Sequence, residues 1–502
     1  MARDDLMFTA IFAAALRSDD SWDDAPFADA SAQNSAHLRC PERAALCSGD
    51  LLRRLHQPRR PPLARIRDEA SAARPLRKAA GASPREPAKP GRTMTVERGA
   101  LLRFMTLYAA LFSAFGFASP FLPTFLAERG LGFEELGFVL GASTALRLVC
   151  GPVAGHLADR IQAFRAELAV CAIVAATAAF LYLAAHGFWT VMAVSLLQST
   201  ALAPLVPLAD ALSLAHARPR QNTRGFEYGR VRGVGSAAFV AGTLLAGQAV
   251  GGYGLSAIMW LSATALLTIP IAAPFVPPFP ENTARDKPNG EISRRPWLTL
   301  LRQRAFVRVT LIAALVLGSH AMYDTFAVIR WTQAGISPAT VGVLWAESVA
   351  AEVLVFLFLG PRLLRVVTPT AALAVAASSG LMRWAVMAQT ADVAALGLVQ
   401  PLHGFTFALL HLASMRIITD TVPRALAATA QAVYGLVGVG GATAVLMLLS
   451  GWLYAHFGPA GFWAMGALCA AAFPLIWSLH RAYQRRFHSS AISPMAGPDD
   501  GG

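Results

Sequence analysis

From residue 101 to residue 480 the chain alternates between long apolar runs and short polar connections that carry most of the arginines of this stretch. Each run is about 20 residues long, the length an α-helix needs to cross roughly 30 Å of hydrocarbon. This rhythm predicts twelve membrane-spanning helices, near 101–127, 135–157, 166–185, 188–212, 229–251, 255–276, 306–330, 338–360, 369–388, 392–416, 428–454 and 460–480. The expected fold class is an all-α membrane protein.

Composition agrees. Of 502 residues, 55% are hydrophobic and 15% charged, where a soluble chain carries about a quarter charged. Lys and Arg in the short loops set the orientation. One set of connections holds Arg160 and Arg165; Arg218, Arg220 and Arg224; Arg285, Lys287, Arg294, Arg295, Arg302 and Arg304; Arg362 and Arg365; Arg424; and the tail Arg481, Arg485 and Arg486. The opposite set holds Arg129 and Arg330. Both termini are therefore expected in the cytoplasm, with the chain multi-pass in the cell (inner) membrane. The net charge of +13 is largely this topology signal, so no nucleic-acid partner is expected.

Cysteines form no framework. Cys150, Cys171 and Cys469 sit singly in apolar helices as packing residues, and Cys40 and Cys47 are too sparse for a metal site. Residues 1–93 are rich in Arg, Ala, Pro and Asp without a sustained period, and read as a disordered extension. Its apolar LMFTAIFAAAL (6–16) follows Asp4 and Asp5, where a signal peptide would carry positive charge. Met94 opens an ordinary short lead to the first span, so translation from Met94 and a genuine tail are both open readings.

The chain repeats itself. ERGLGFEELGFVLG (128–141) answers QAGISPATVGVLWA (333–346), pairing Gly130 with Gly335 and Gly137 with Gly342. LLAGQAVGGYG (244–254) answers LLSGWLYAHFG (448–458), pairing Gly247 with Gly451 and Gly254 with Gly458. Two parallel six-helix halves, 94–276 and 306–482, follow, joined by a cytoplasmic linker at 277–305 and ending in a tail at 483–502. Such halves enclose a central cavity reached alternately from each side. Small residues in YGRVRGVGSAAFVAGTLLAG (228–247) and YGLVGVGGATAVLMLLSG (434–451) allow close helix approach.

Charge inside a span costs roughly 2.5–3.5 kcal/mol on insertion scales, so retained charges tend to face a cavity and each other. The deep ones are Arg147, Asp324, Glu347, Glu352 and Arg383, with His403 and His411; His320 lies one turn before Asp324. Arg147 displaced by the repeat offset lands on Glu352, so the halves place opposite charges at equivalent depth. His403 and His411 are eight residues apart, about 80° around a helix and about 12 Å along it. Both can face one cavity, and imidazole carries a proton without the penalty of permanent charge. With Glu347, Glu352 or Asp324 they suit a proton relay; neutral histidines bonded to neighbouring helices are the plainer alternative. Their spacing does not suit a metal, and no cofactor is expected. Near the basic loops, Asp159 with Arg160, and Asp210 with Arg230 or Arg232, suit a latch that closes the cytoplasmic side in one state; fixed loop salt bridges would look the same.

GHLADR (155–160) resembles the loop motif of the major facilitator superfamily, although the IQAFR that follows departs from the usual basic tail. PLVPLADAL (204–212), YGRVRGVGSAAFV (228–240), HAMYDTFAVIRWTQAGISPATVGVLWAESVAAEV (320–353), MRWAVM (382–387) and HGFTFALLHLASMR (403–416) resemble the phenylpropionate permease family within it. That resemblance covers about 100–480. It implies a major facilitator fold and proton-symport roles for Asp324, Glu347, Glu352, Arg383, His403 and His411. Arg147 and Arg383 would suit a substrate carboxylate, and Tyr323, Trp345 and Phe405, among other rings, would suit an aromatic one. The expectation is a monomeric transporter, not an enzyme, that couples protons to import of a small aromatic or organic acid. A proton-driven exporter or facilitator of neutral or cationic compounds is the alternative. A membrane-embedded enzyme is remote, since neither HExxH nor Gly-x-Ser-x-Gly occurs.

Overall fold

The computed structural model describes residues 90–217, 225–279 and 296–491. The expectations placed on 1–89 with Cys40 and Cys47, on Arg218, Arg220 and Arg224, on Arg285, Lys287, Arg294 and Arg295, and on 492–502 lie outside these residues. Among the described residues the chain is helical and contains no strand.

The twelve long helices are α1 (Pro90–Ala118), α2 (Phe133–Ile161), α3 (Phe164–Ala184), α4 (Phe188–Ala217), α5 (Tyr228–Tyr253) and α6 (Ala257–Phe275) in the first half. The second half holds α7 (Arg304–Gln333), α8 (Pro338–Val366), α9 (Pro369–Gln389), α10 (Val393–Thr421), α11 (427–457) and α12 (Phe462–Ala491). Eleven segments are long and apolar enough to cross a membrane, and the last of them, Arg424–Arg485, runs 62 residues. It turns back through Gly458–Gly461, so α11 and α12 are separate crossings.

All eight repeated glycines have structural work, of two kinds. Gly130 and Gly335 (φ +92° and +80°) and Gly254 and Gly458 (φ +79° and +53°) hold positive φ in the turns that close helices, a conformation that penalises a Cβ. The other four sit where the halves touch. α2 packs on α11 and α5 packs on α8, related by the pseudo-two-fold of the repeat. A Cβ on Gly137 would lie 2.6 Å from the Met447 carbonyl oxygen and 2.8 Å from Gly451 Cα, and one on Gly247 would lie 2.6 Å from the Pro338 carbonyl oxygen. Backbone meets backbone at both crossings because no side chain intervenes.

The seam is reinforced at the end away from the basic loops. Phe133 of the first half meets Tyr454 at 5.1 Å, and Phe326 stacks on Tyr454 at 4.4 Å. The exposed pair Glu134 and His456 spans the same line at 3.8 Å. Toward the basic loops, the ends of α4 and α10 form no comparable pairing across the halves among the described residues.

Several helices of the second half are irregular. α7 breaks at Ser319–His320. π-Helical stretches interrupt α8 at Val355–Leu359, α10 at Phe405–Leu409 and α11 at Tyr434–Gly441. Such wide turns are rare and concentrate at functional sites.

The glycine seam leads to a prediction. Gly137→Ala and Gly247→Ala each drive a methyl into a carbonyl oxygen, an overpacking cost of about 1–3 kcal/mol that disappears when the halves part. Spin labels on Glu134→Cys and His456→Cys should show a longer, broader distance distribution in either variant. An unchanged distribution in both would mean the seam yields by local adjustment and does not set the state.

Candidate functional site

The second half gathers its deep polar residues around one guanidinium. Arg383, on α9, is 1% exposed. Its Nη1 donates to His403 Nδ1 at 3.0 Å and reaches His320 Nε2 at 3.3 Å, and its Nη2 donates to Gln400 Oε1 at 3.0 Å. The rings of Tyr323 and Trp384 lie under the guanidinium, each 4.8 Å from Cζ. Cation–π contact of this kind is stronger when desolvated. His403 Nε2 in turn meets Glu352 Oε2 at 3.2 Å. Glu352, His403, Arg383, His320 and Gln400 are all buried, and they come from α7, α8, α9 and α10.

Donor and acceptor logic fixes the protons. An arginine N–H can only donate, so His403 Nδ1 is the acceptor and carries no proton. The neutral ring then keeps its hydrogen on Nε2 and donates to the Glu352 carboxylate. His320 is held the other way round. Its Nδ1 faces the carbonyl oxygens of Val316 and Leu317 at 3.1 Å, so Nδ1 donates, while Nε2 accepts from Arg383 with Thr406 Oγ1 at 2.9 Å. The break in α7 supplies these carbonyls by turning His320 back on its own helix. Two adjacent imidazoles are therefore held in opposite tautomers, His403 by Arg383 and His320 by the carbonyls of its own helix.

Two members of the site, Gln400 and Thr406, carry no charge and were not singled out in the sequence. Gln400 Oε1 accepts from Arg383 and from the Tyr323 hydroxyl, the latter at 3.2 Å. That fixes the amide orientation and turns Nε2 away, fully buried and without a hydrogen-bond partner. Only its place on α10, three residues before His403, could have hinted at it.

The other predicted residues fall into groups. Tyr323 and Trp345 stack at 5.0 Å and form the aromatic wall beside Arg383. Asp324 and Phe405 are half-buried, and Arg147 is 8% exposed on α2. Glu347 is half-buried, with Oε2 close to where a Cβ on Gly397 would sit, at 3.9 Å. His411 does not join the cluster. Both of its ring nitrogens lack hydrogen-bond partners, and it lies 6.0 Å from the rings of Phe356 and Tyr434. Among the described residues no three His, Cys, Asp or Glu side chains converge as a metal site would require.

Near the basic loops, Asp210 is 2% exposed and accepts hydrogen bonds from the hydroxyls of Tyr108 and Tyr228, the second at 2.6 Å. Arg232 Nη1 stands 3.9 Å away and Arg230 instead meets the exposed Glu227 at 3.3 Å. The partners of Asp210 all belong to the first half, so it fastens α1, α4 and α5 to one another. Of the two arginines expected beside Asp210, Arg232 is the one that approaches it. Asp159 and Arg160 are exposed at the end of α2, where Gln162 Nε2 caps the Asp159 carbonyl at 2.5 Å.

Comparison with known proteins gives this architecture a family. Residues 101–465 match the model described as the MFS_1 like family. A probable 3-phenylpropionic acid transporter of Escherichia coli (strain K12) is 34% identical over 375 residues, covering 73% of this chain and 94% of that protein. Among solved structures, the nucleoside transporter NupG superposes with a TM-score of 0.64 at 15% identity, covering 76% of this chain and 99% of NupG. A bacterial homolog of the human lysosomal transporter Spinster, inward-facing and unoccupied, gives 0.61 at 14% identity, covering 79% and 98%. The distant structures share the fold alone, while the family model and the closer relative carry more: this chain is a multi-pass transporter of the MFS_1-like family, with the major facilitator fold.

Proposed function

We propose that this protein is a proton-coupled symporter of a small aromatic or organic acid, working by alternating access, with both termini cytoplasmic. The observation that carries the reading is the buried sequence Glu352–His403–Arg383. His403 Nδ1 can accept from Arg383 only while it is unprotonated. A proton arriving there breaks that bond, leaves an imidazolium held by Glu352, and frees guanidinium hydrogens for an anion. A carboxylate arriving at Arg383 has the reciprocal effect, because it draws the guanidinium away and exposes Nδ1 to protonation. Proton and anion therefore favour the same rearrangement, and such linkage is reciprocal by necessity. The stacked rings of Tyr323 and Trp345 beside Arg383 suit an aromatic body attached to that carboxylate. The 3-phenylpropionic acid named for the E. coli relative has this shape and charge.

With the basic loops cytoplasmic, the glycine seam lies on the outer side, as an inward-facing state requires. A rocking motion about the α2–α11 and α5–α8 crossings would open that seam and close the other side.

The first test is chemical. Right-side-out, de-energised vesicles containing the protein should alkalinise their medium when 3-phenylpropionate is added, and empty vesicles should not. A folded protein that moves no protons with any of a broad acid panel would sink the symport reading and favour Asp324 and Glu347 as sites for a cationic substrate.

Two variants divide the roles. Glu352→Gln removes the group that holds the imidazolium, so net uptake should fall at least tenfold while exchange of internal for external substrate persists. Arg383→Lys keeps the charge but cannot serve His320, His403 and Gln400 together. It should abolish both uptake and exchange at normal expression. If Arg383→Lys transports normally, the anion binds elsewhere.

A further inference from the structure

We propose that His411, with Ser414 and Tyr434, holds internal water and forms a second proton station, between the Glu352–His403 pair and the basic-loop face. The proton role rests on the symport reading; the water site does not.

All three side chains are at or near zero exposure, and among the described residues neither nitrogen of His411, nor Ser414 Oγ, nor the Tyr434 hydroxyl has a hydrogen bond of normal geometry. Buried polar groups in native proteins almost always have partners. Single orphans recur among the described residues, but three such side chains in one place point to a solvated site. His411 and Ser414 lie one turn apart on α10, and Tyr434 of α11 approaches His411 at 6.0 Å between ring centroids. Its hydroxyl neighbours Ser414 without closing a bond of normal geometry. Four orphaned polar atoms supply the two to four partners an internal water needs.

The π-helical stretches of the described spans gather at this level. α10 has its π-helical stretch, Phe405–Leu409, directly before His411; that of α8, Val355–Leu359, contains Phe356, whose ring stacks on His411 at 6.0 Å; that of α11 begins at Tyr434. Wide turns of this kind open helix packing locally and leave room beside the backbone.

Position gives the site its direction. From Glu352 the next turn of α8 toward the basic loops brings Phe356, and from His403 the next turn of α10 brings Phe407, whose ring is 5.4 Å away. One turn further lies His411. The groups facing it among the described residues are Phe356 from α8, Tyr434 from α11 and Ser414 from its own helix, and no described carboxylate, lysine or arginine is paired to it. An unpaired imidazole can take a proton from water on one nitrogen and release another from its second nitrogen. The proton leaving His403–Glu352 would thus cross the Phe356–Phe407 layer by water, pass through His411, and reach the cytoplasm past Ser414 and Tyr434.

The test has two arms on the full chain. In the first, water is the probe: radiolytic hydroxyl-radical footprinting in nanodiscs. His411 and Tyr434 should be oxidised several-fold faster than Tyr182, which is equally buried but bonded to Ser195 at 2.8 Å. His411→Leu should protect Tyr434, whereas His411→Gln should not. Labelling of His411 and Tyr434 as slow as that of Tyr182 overturns the water site. In the second arm, proteoliposomes are assayed for 3-phenylpropionate exchange and for net uptake driven by a pH gradient. Both His411 variants should keep exchange within about twofold and lose net uptake about tenfold. Net uptake unchanged in His411→Leu overturns the proton role even if water is present. If Glu352→Gln also leaves net uptake unchanged, or wild type moves no 3-phenylpropionate, the symport reading has failed with it, and footprinting alone decides the water site.

Discussion

A guanidinium placed deep among membrane helices must be compensated at that spot, and Arg383 dictates how the second half is built. Insertion of such a charge costs roughly 2.5–3.5 kcal/mol even on lenient scales. Compensation comes from four helices. α7 breaks at Ser319–His320 and offers the His320 ring, α8 offers Glu352 through His403, α9 carries Arg383 itself with Trp384, and α10 supplies Gln400, His403 and Thr406. None of these donors and acceptors can be removed without leaving another buried group unmatched. The same economy makes the site responsive, since one extra proton or one extra anion must displace a bond already present.

The two halves are built alike but hold their buried charge differently. In the first half the buried carboxylate Asp210 is tied off by Tyr108, Tyr228 and Arg232, near the basic loops. This network fastens three helices. The second half places its charge nearer the middle of the spans and leaves it adjustable. What remains symmetric is the contact between them, where Gly137 meets Gly451 and Gly247 meets Gly342 about the pseudo-two-fold. A seam of bare backbone has little side-chain interlocking to undo, which suits surfaces that part and rejoin.

The irregular stretches of α8, α10 and α11 change the meaning of the two histidines in HGFTFALLHLASMR. At 100° per residue both would face one cavity. A π-helical stretch between them shifts the phase, so His403 enters the Arg383 cluster and His411 turns to Phe356 and Tyr434. Their different partners give them different chemistry: His403 has its tautomer imposed, and His411 has none imposed.

Much was determined by the sequence alone, because solvent exclusion acts on composition and length. Apolar runs of about 20 residues specified the spans, and the glycine offsets pointed to the repeat. The cost of buried charge singled out Glu352, Arg383 and His403. Partnership was decided only by the tertiary structure. Which face each helix turns inward depends on crossing angles and on local π turns, and neither is written in hydrophobic periodicity. Gln400 and Thr406 therefore entered the site unannounced, Asp210 took the hydroxyls of Tyr108 and Tyr228 beside Arg232, and His411 parted from His403. Neutral polar side chains give no signal in a charge census, and a hydrogen bond exists only when two helices bring its ends within about 3 Å.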